Sequence, residues 1–197
     1  MGSLLLHTDT QHDGLQLLLS RQSHWPLGLP APDAHTLNRA FEAAVCAPDH
    51  SQQQPWRFIT IQDQALHALG EVFARAALKA KPLDSGKASR AQATAAPMII
   101  AVGAHISSAS KVPAIEQMLA TAAAAMNLLN ALHALGFAGY WATGPNAYDP
   151  DVRSALGLKG EADQLLGFIY VGTPTKERPA KRRQSPSEFV SQWSEPL

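Results

Sequence analysis

Residues 46–56 read Cys-Ala-Pro-Asp-His-Ser-Gln-Gln-Gln-Pro-Trp, which places one carboxylate, one imidazole, one hydroxyl and three carboxamides beside a single indole. Each Gln offers both a donor and an acceptor, so the set suits a flat heterocycle with several polar edges. Two prolines bracket the stretch. Pro48 holds its φ near about −65°, and Pro55 is expected to push Gln54 into an extended conformation. The loop should therefore be stiff.

Other chemistries are disfavoured by composition. Histidines stand at positions 7, 12, 24, 35, 50, 67, 105 and 133 without an i, i+3 or i, i+4 pair and without His-Glu-x-x-His, so no metal site is expected. Cys46 is the only cysteine, which rules out an intrachain disulfide. With no basic neighbour close in sequence, it is expected to be a buried thiol acting as a small hydrophobe. Sixteen basic and sixteen acidic residues cancel, leaving no electrostatic case for a nucleic-acid or membrane-surface partner. A reducing cytoplasm fits a lone thiol, and the N-terminus lacks the basic end and apolar run of a secretory signal.

At 197 residues the chain is expected to form a leader over 1–13 and one domain over 14–197. Leu15, Leu17, Leu18 and Leu19 predict a helix from Gly14 that ends near Arg21-Gln22-Ser23. Pro26, Pro30 and Pro32 make an extended connector, and Asp33 is a good N-cap for a helix carrying Leu37, Phe41, Ala44 and Val45 on one stripe. Strands are predicted at 56–61, 97–103, 139–144 and 165–174. Between them lie a helix over 65–81, a short helix or mobile cover over 84–95, and a polar loop over 105–111. The alanine-rich helix over 113–135 is apolar on nearly every side, so it should be buried all round. Glu116, Gln117, Asn127, Asn130 and His133 interrupt it too often for a membrane span. A short helix starts at Asp149 or Pro150, with Asp151 and Arg153 as surface charges. The fold class is an α+β sandwich with a small mixed sheet flanked by helices. No Gly-x-Gly-x-x-Gly follows a strand and no Walker loop occurs, so this is not a Rossmann unit.

Pro48-Asp-His-Ser-Gln-Gln-Gln-Pro-Trp56 resembles the Pro-Ser-Ser-x-Asn-x-Gln-Pro-Trp signature of the nitroreductase family, in its short-subunit branch where Asp-His replaces Ser-Ser. The leucine-rich helix running into Arg21-Gln22-Ser23 is similar to the family's opening. Gly167-Phe-Ile-Tyr-Val-Gly-Thr-Pro174 is similar to its Gly-x-Ile-x-x-Gly-x-Pro ending. The resemblance implies an intertwined homodimer with FMN at the interface, taking hydride from NADH or NADPH and reducing a nitro, quinone or related small acceptor by a ping-pong route. Flavin carries the chemistry, and no catalytic side chain is assigned.

Carried over residue by residue, the resemblance puts Arg21, Gln22 and Ser23 at the FMN phosphate. Cys46 and His50, with Gln52 or Gln54, would meet the ring or ribityl chain, and Trp141, Ala142 and Thr143 would form the opposite wall. Leu132, His133, Ala134, Leu135, Gly136 and Phe137 would meet the nicotinamide nucleotide. An Arg is usual where Gln22, Cys46 and Ala142 stand, so three cations are missing, and Arg182 or Arg183 is expected to supply the charge. The resemblance also places a substrate-facing lid near 84–95 and a C-terminal arm that crosses to the partner subunit. Two other readings stay open: a flavin-binding dimer without turnover, serving as a carrier or sensor, and a structural dimer without flavin.

Overall fold

The computed structural model describes residues 8–194. Its centre is an antiparallel sheet of β2 (Trp56–Gln62), β3 (Met98–Ala104), β5 (Gln164–Pro174) and β4 (Ala138–Ala142), in that spatial order. The two-residue β1 (Leu27–Gly28) joins the end of β5. Every pairing is antiparallel, where a mixed sheet was expected. The physical reason is an insertion. β3 and β4 both run against β5 and are therefore parallel to each other, but β5 lies between them.

Alternation along the central strands sorts the core into two layers. Ile99, Ala101, Phe168 and Tyr170 face α3 (Gln64–Ala80), α4 (Lys87–Ala93), α6 (Pro145–Tyr148) and α7 (Pro150–Ala155). Ile100, Val102, Ile169 and Val171 face α2 (Ala34–Ala44) and α5 (Ala114–Ala134). β3 is buried at all seven positions because helices cover both of its faces. Asp33 caps α2 as expected, its Oδ1 accepting the Thr36 amide at 2.8 Å.

Several expectations change. α1 spans Thr8–Ser20 and so begins before Gly14; residues 1–7 of the expected leader lie outside the described residues. Of the two readings of residues 84–95 the short helix holds, as α4: Arg90 grips Glu71 of α3 through Nε at 2.7 Å and Nη2 at 3.0 Å, and Ala93 is fully buried. Arg153 is not merely a surface charge, since Nη1 donates to the Asp163 carbonyl at 2.8 Å. α5 is not buried all round. Ile115, Leu119 and Met126 are 57 %, 60 % and 38 % exposed, on a stripe that α1, with exposed Leu15, Leu18 and Leu19, does not cover. Among the described residues, no helix is long and apolar enough to cross a membrane.

Candidate functional site

A cleft of about 740 Å³ opens where the end of α1 meets β4 and the C-terminal arm. Arg21 closes α1, its amide donating to the Leu17 carbonyl at 3.1 Å, and Gln22 and Ser23 follow it along the same wall. Opposite them run Arg178, Lys181 and Arg183 of the arm. The arm is fastened to this wall. Arg183 Nη2 donates to the Arg21 carbonyl at 3.1 Å, Arg178 Nη2 to the Trp25 carbonyl at 2.7 Å, and Gln22 Nε2 to the Arg178 carbonyl at 3.4 Å.

Among the described residues, four cations therefore line the cleft and no acidic residue does. Burial, and after it the Arg183 charge, lower the pKa of Arg21. His133 is lowered by burial and then Arg21; His24 by burial, then Arg178, His133 and Arg21. Burial is the larger cause in all three, with neighbouring cations adding to it, and a bound anion of phosphate type would oppose the cationic part. Trp141 forms part of the same cleft, its indole N–H donating to the Leu166 carbonyl at 3.2 Å.

Tyr140 and Arg178 also belong to an adjoining cavity of about 490 Å³ with Trp25, Tyr170, Ala142 and Gln92. Trp25 stands with its ring 5.4 Å from Tyr140 and edge-on to Tyr170 at 5.6 Å. The buried Tyr170 hydroxyl makes no hydrogen bond of good geometry and has the Gln92 side chain beside it; burial raises its pKa, against the opposing effect of Gln92, so it stays neutral. Gln92 in turn shares a third cavity of about 480 Å³ with Ser89 and Asn146, whose Nδ2 donates to Gln92 Oε1 at 3.2 Å. Shared walls make the three cavities one trough. Cations line one end and aromatic rings the middle; the other end carries Gln92, Asn146 and Ser89 together with the charged Lys81, Asp84 and Asp149.

The loop 46–56 lies elsewhere. Its geometry is over-determined: Ser51, Gln52 and Gln54 have φ of 56°, 50° and 47°, and the Asp49 carboxylate accepts the Gln54 amide at 2.6 Å. Gln54 is thus in the left-handed region, not extended, because that bond turns the chain ahead of Pro55. His50 Nδ1 lies 2.6 Å from Glu116 Oε2 in the first turn of α5. Cys46 is exposed, contrary to expectation; α2 ends at Ala44, the neighbouring Ala44 and Ala47 take the buried positions, and the thiol donates outward to the Glu42 carbonyl at 3.3 Å.

Within one chain the expected site residues form two groups. Arg21, Gln22, Ser23, Trp141 and Ala142 line the trough, with Thr143 next in sequence beside Gly167. His50, Cys46, Gln52 and Gln54 do not. His133 packs against Ser20 near the trough, with Ser20 Oγ 2.9 Å from His133 Nε2, whereas His50 sits by Glu116. These two marks on α5 are about 25 Å apart at the helical rise of about 1.5 Å per residue. β2, which follows the loop, and β4 are also the outer strands of the central sheet, separated by β3 and β5.

In the segment 132–137, Leu132 is fully buried, and Leu135 and Phe137 pack against the same core. The surface is left to His133, Ala134 and Gly136. Sequence reading missed Trp25, Tyr140, Tyr170 and Gln92 as site residues, for nothing in their local pattern distinguishes them from core and surface. Arg178 and Lys181 belong to a basic run, Lys176 to Arg183, in which nothing local singles them out. Among the described residues, no group of His, Cys, Asp or Glu could hold a metal ion.

The nitroreductase family profile matches residues 18–173. The chain is 35 % identical over 181 residues to "Putative NAD(P)H nitroreductase YdjA" of Escherichia coli K12, covering 91 % of this chain and 98 % of that protein. Among solved structures, a nitroreductase-like family protein from Bacillus cereus superposes with a TM-score of 0.80 at 19 % identity, over 91 % of this chain and 95 % of that one. The FMN and NADPH-dependent nitroreductase NfnB from a Sphigopyxis strain superposes with a TM-score of 0.73 at 17 % identity, over 92 % and 99 %. A family match across most of the chain, joined to this sheet and these packed helices, places the protein in the nitroreductase family.

Proposed function

We propose that this chain is an FMN-dependent oxidoreductase that takes reducing equivalents from NADH or NADPH and passes them to a small acceptor such as a nitro compound or quinone. The observation that carries this reading is the order of chemistry along the trough. Phosphate suits the end with Arg21, Ser23, Arg178, Lys181 and Arg183. A flat ring suits the aromatic middle, and the buried Tyr170 hydroxyl with Gln92 and Asn146 suits the polar edges of a pyrimidine. The residues fit the group. When bound, FMN would accept hydride from the nucleotide and return it to the acceptor in the same place, which gives ping-pong kinetics. The chain's own contribution is to hold the phosphate, brace one side with Trp141, and leave room for one substrate at a time.

The two-group arrangement of His50 and Arg21 supports a homodimer. A twofold axis across α5 sets the Glu116 end of one copy beside the His133 end of its partner, and the exposed stripe of Ile115, Leu119 and Met126 supplies the apolar contact. The start of the arm stays on its own subunit through Arg178 and Arg183. The exposed Phe189, Val190 and Trp193 beyond it are the part that reaches the partner. A cytoplasmic location fits the exposed free thiol of Cys46.

The test is an anaerobic titration of the FMN-loaded protein with NADH and with NADPH, followed by addition of a quinone. Bleaching by at least one nucleotide and recovery with quinone is expected. A flavin that binds but is bleached by neither nucleotide leaves a carrier or sensor, and a protein that takes up no FMN leaves a structural dimer.

A further inference from the structure

Within the polar loop, another element sets the orientation of the His50 ring. Its side chain is 62 % exposed, yet Nδ1 lies 2.6 Å from Glu116 Oε2, a contact between residues 66 positions apart. A carboxylate can only accept, so the proton in this contact belongs to Nδ1. In the neutral ring that leaves Nε2 as a lone-pair acceptor, and among the described residues nothing bonds to it. Around the ring the backbone is held in an uncommon shape, with positive φ at Ser51, Gln52 and Gln54 and an Asp49 bond to the Gln54 amide. Non-glycine residues in that region cost energy unless the surroundings enforce them.

We propose that Glu116 is a positioning residue for His50, selecting the tautomer that offers Nε2 as an acceptor to the N–H and hydroxyl donors of a flavin. The proposal rests on the FMN reading above and adds a division of labour to it. Glu116 and His50 read the ring and ribityl part, while the cationic cleft at the far end of α5 reads the phosphate. A free acceptor cannot hold a phosphate oxygen, so this half of the site is indifferent to whether the ligand is FMN or riboflavin.

The experiment measures fluorescence quenching of FMN and of riboflavin on flavin-free protein, for the wild type, Glu116→Ala and Glu116→Gln. Alongside it, ¹⁵N shifts of the His50 ring are recorded in the flavin-free protein, and melting temperatures control for folding. Glu116→Ala should weaken both flavins by the same factor, about tenfold, the scale of one hydrogen bond to a charged group. Glu116→Gln, whose amide oxygen can still accept from Nδ1, should restore most of the affinity. The ¹⁵N spectrum should show a proton on Nδ1 in the wild type and a mixture of tautomers in Glu116→Ala. Unchanged affinity in Glu116→Ala, a loss confined to FMN, or a wild-type ring protonated on Nε2 alone would each overturn the assignment. If the wild type binds neither flavin, the cofactor reading itself fails and takes this proposal with it.

Discussion

Arg183 bonds through Nη2 to the main-chain carbonyl of Arg21 at 3.1 Å, which sets two guanidinium groups on the wall of the same cleft. The residue nearest to that pair in sequence, Gln22, carries no charge. Arg183, unlike Arg182, lines this cleft, with Arg178 and Lys181 beside it. Replacing Arg183 by Gln should weaken FMN by about 1.5–3 kcal/mol, the usual worth of a hydrogen bond to a charged group, and leave riboflavin unchanged. Paired titrations with the two flavins check this. A charge-removed arm that binds FMN as tightly as the wild type would refute the assignment.

The exposed stripe of α5 should decide the oligomeric state. Leu119 is 60 % exposed in the single chain, so a Glu in its place costs the isolated subunit little but would put a charge in an apolar contact between copies. Leu119→Glu should sediment as a monomer with a native circular-dichroism spectrum, and it should lose flavin because His50 no longer meets the trough of a partner. A dimeric, flavin-loaded Leu119→Glu protein would move the interface elsewhere.

Asp163 is 3 % exposed and accepts from His105 Nδ1 at 2.8 Å, the Gly160 amide at 2.8 Å and the Ile106 amide at 3.3 Å. Burial alone would raise its pKa, but these bonds more than offset burial and hold the carboxyl below its usual range. A carboxyl with a depressed folded-state pKa contributes stability that is present above the unfolded value and is lost as pH falls through the folded one. Asp163→Asn should lower stability at pH 7 by about 1–3 kcal/mol, and should show a smaller further loss between pH 4 and strong acid than the wild type. Urea unfolding at pH 7 and at a series of acid pH values measures both.

Gly167 has φ of 129°, and a Cβ there would come within 2.6 Å of the Ala142 carbonyl and 2.8 Å of the Trp141 indole nitrogen. Backbone conformation and space both exclude a side chain. Gly167→Ala should destabilise the fold by about 2 kcal/mol or more, and it should shift Trp141 emission because the indole must leave the Leu166 carbonyl. Equilibrium unfolding and fluorescence of the flavin-free protein report the two effects separately.

Local pattern alone determined the elements of this protein. Aromatic and β-branched content and a continuous apolar run marked the four main strands to within about two residues, helical spacing marked α2, α3 and α5, and Asp33 announced its cap, because these signals act over a few residues. The loop at 48–56 was legible as a candidate site, for its polar density and its bracketing prolines lie within one short run. Tertiary structure alone decided which strands became neighbours, since the insertion of β5 between β3 and β4 depends on contacts remote in sequence. It likewise decided that Trp25, Tyr140, Tyr170 and Gln92 share one trough, that Arg183 lies on Arg21, and that Cys46 points outward at a helix end. The separation of His50 from Arg21 belongs to the same class, because a helix carries direction over its whole length while its sequence records only which face is apolar.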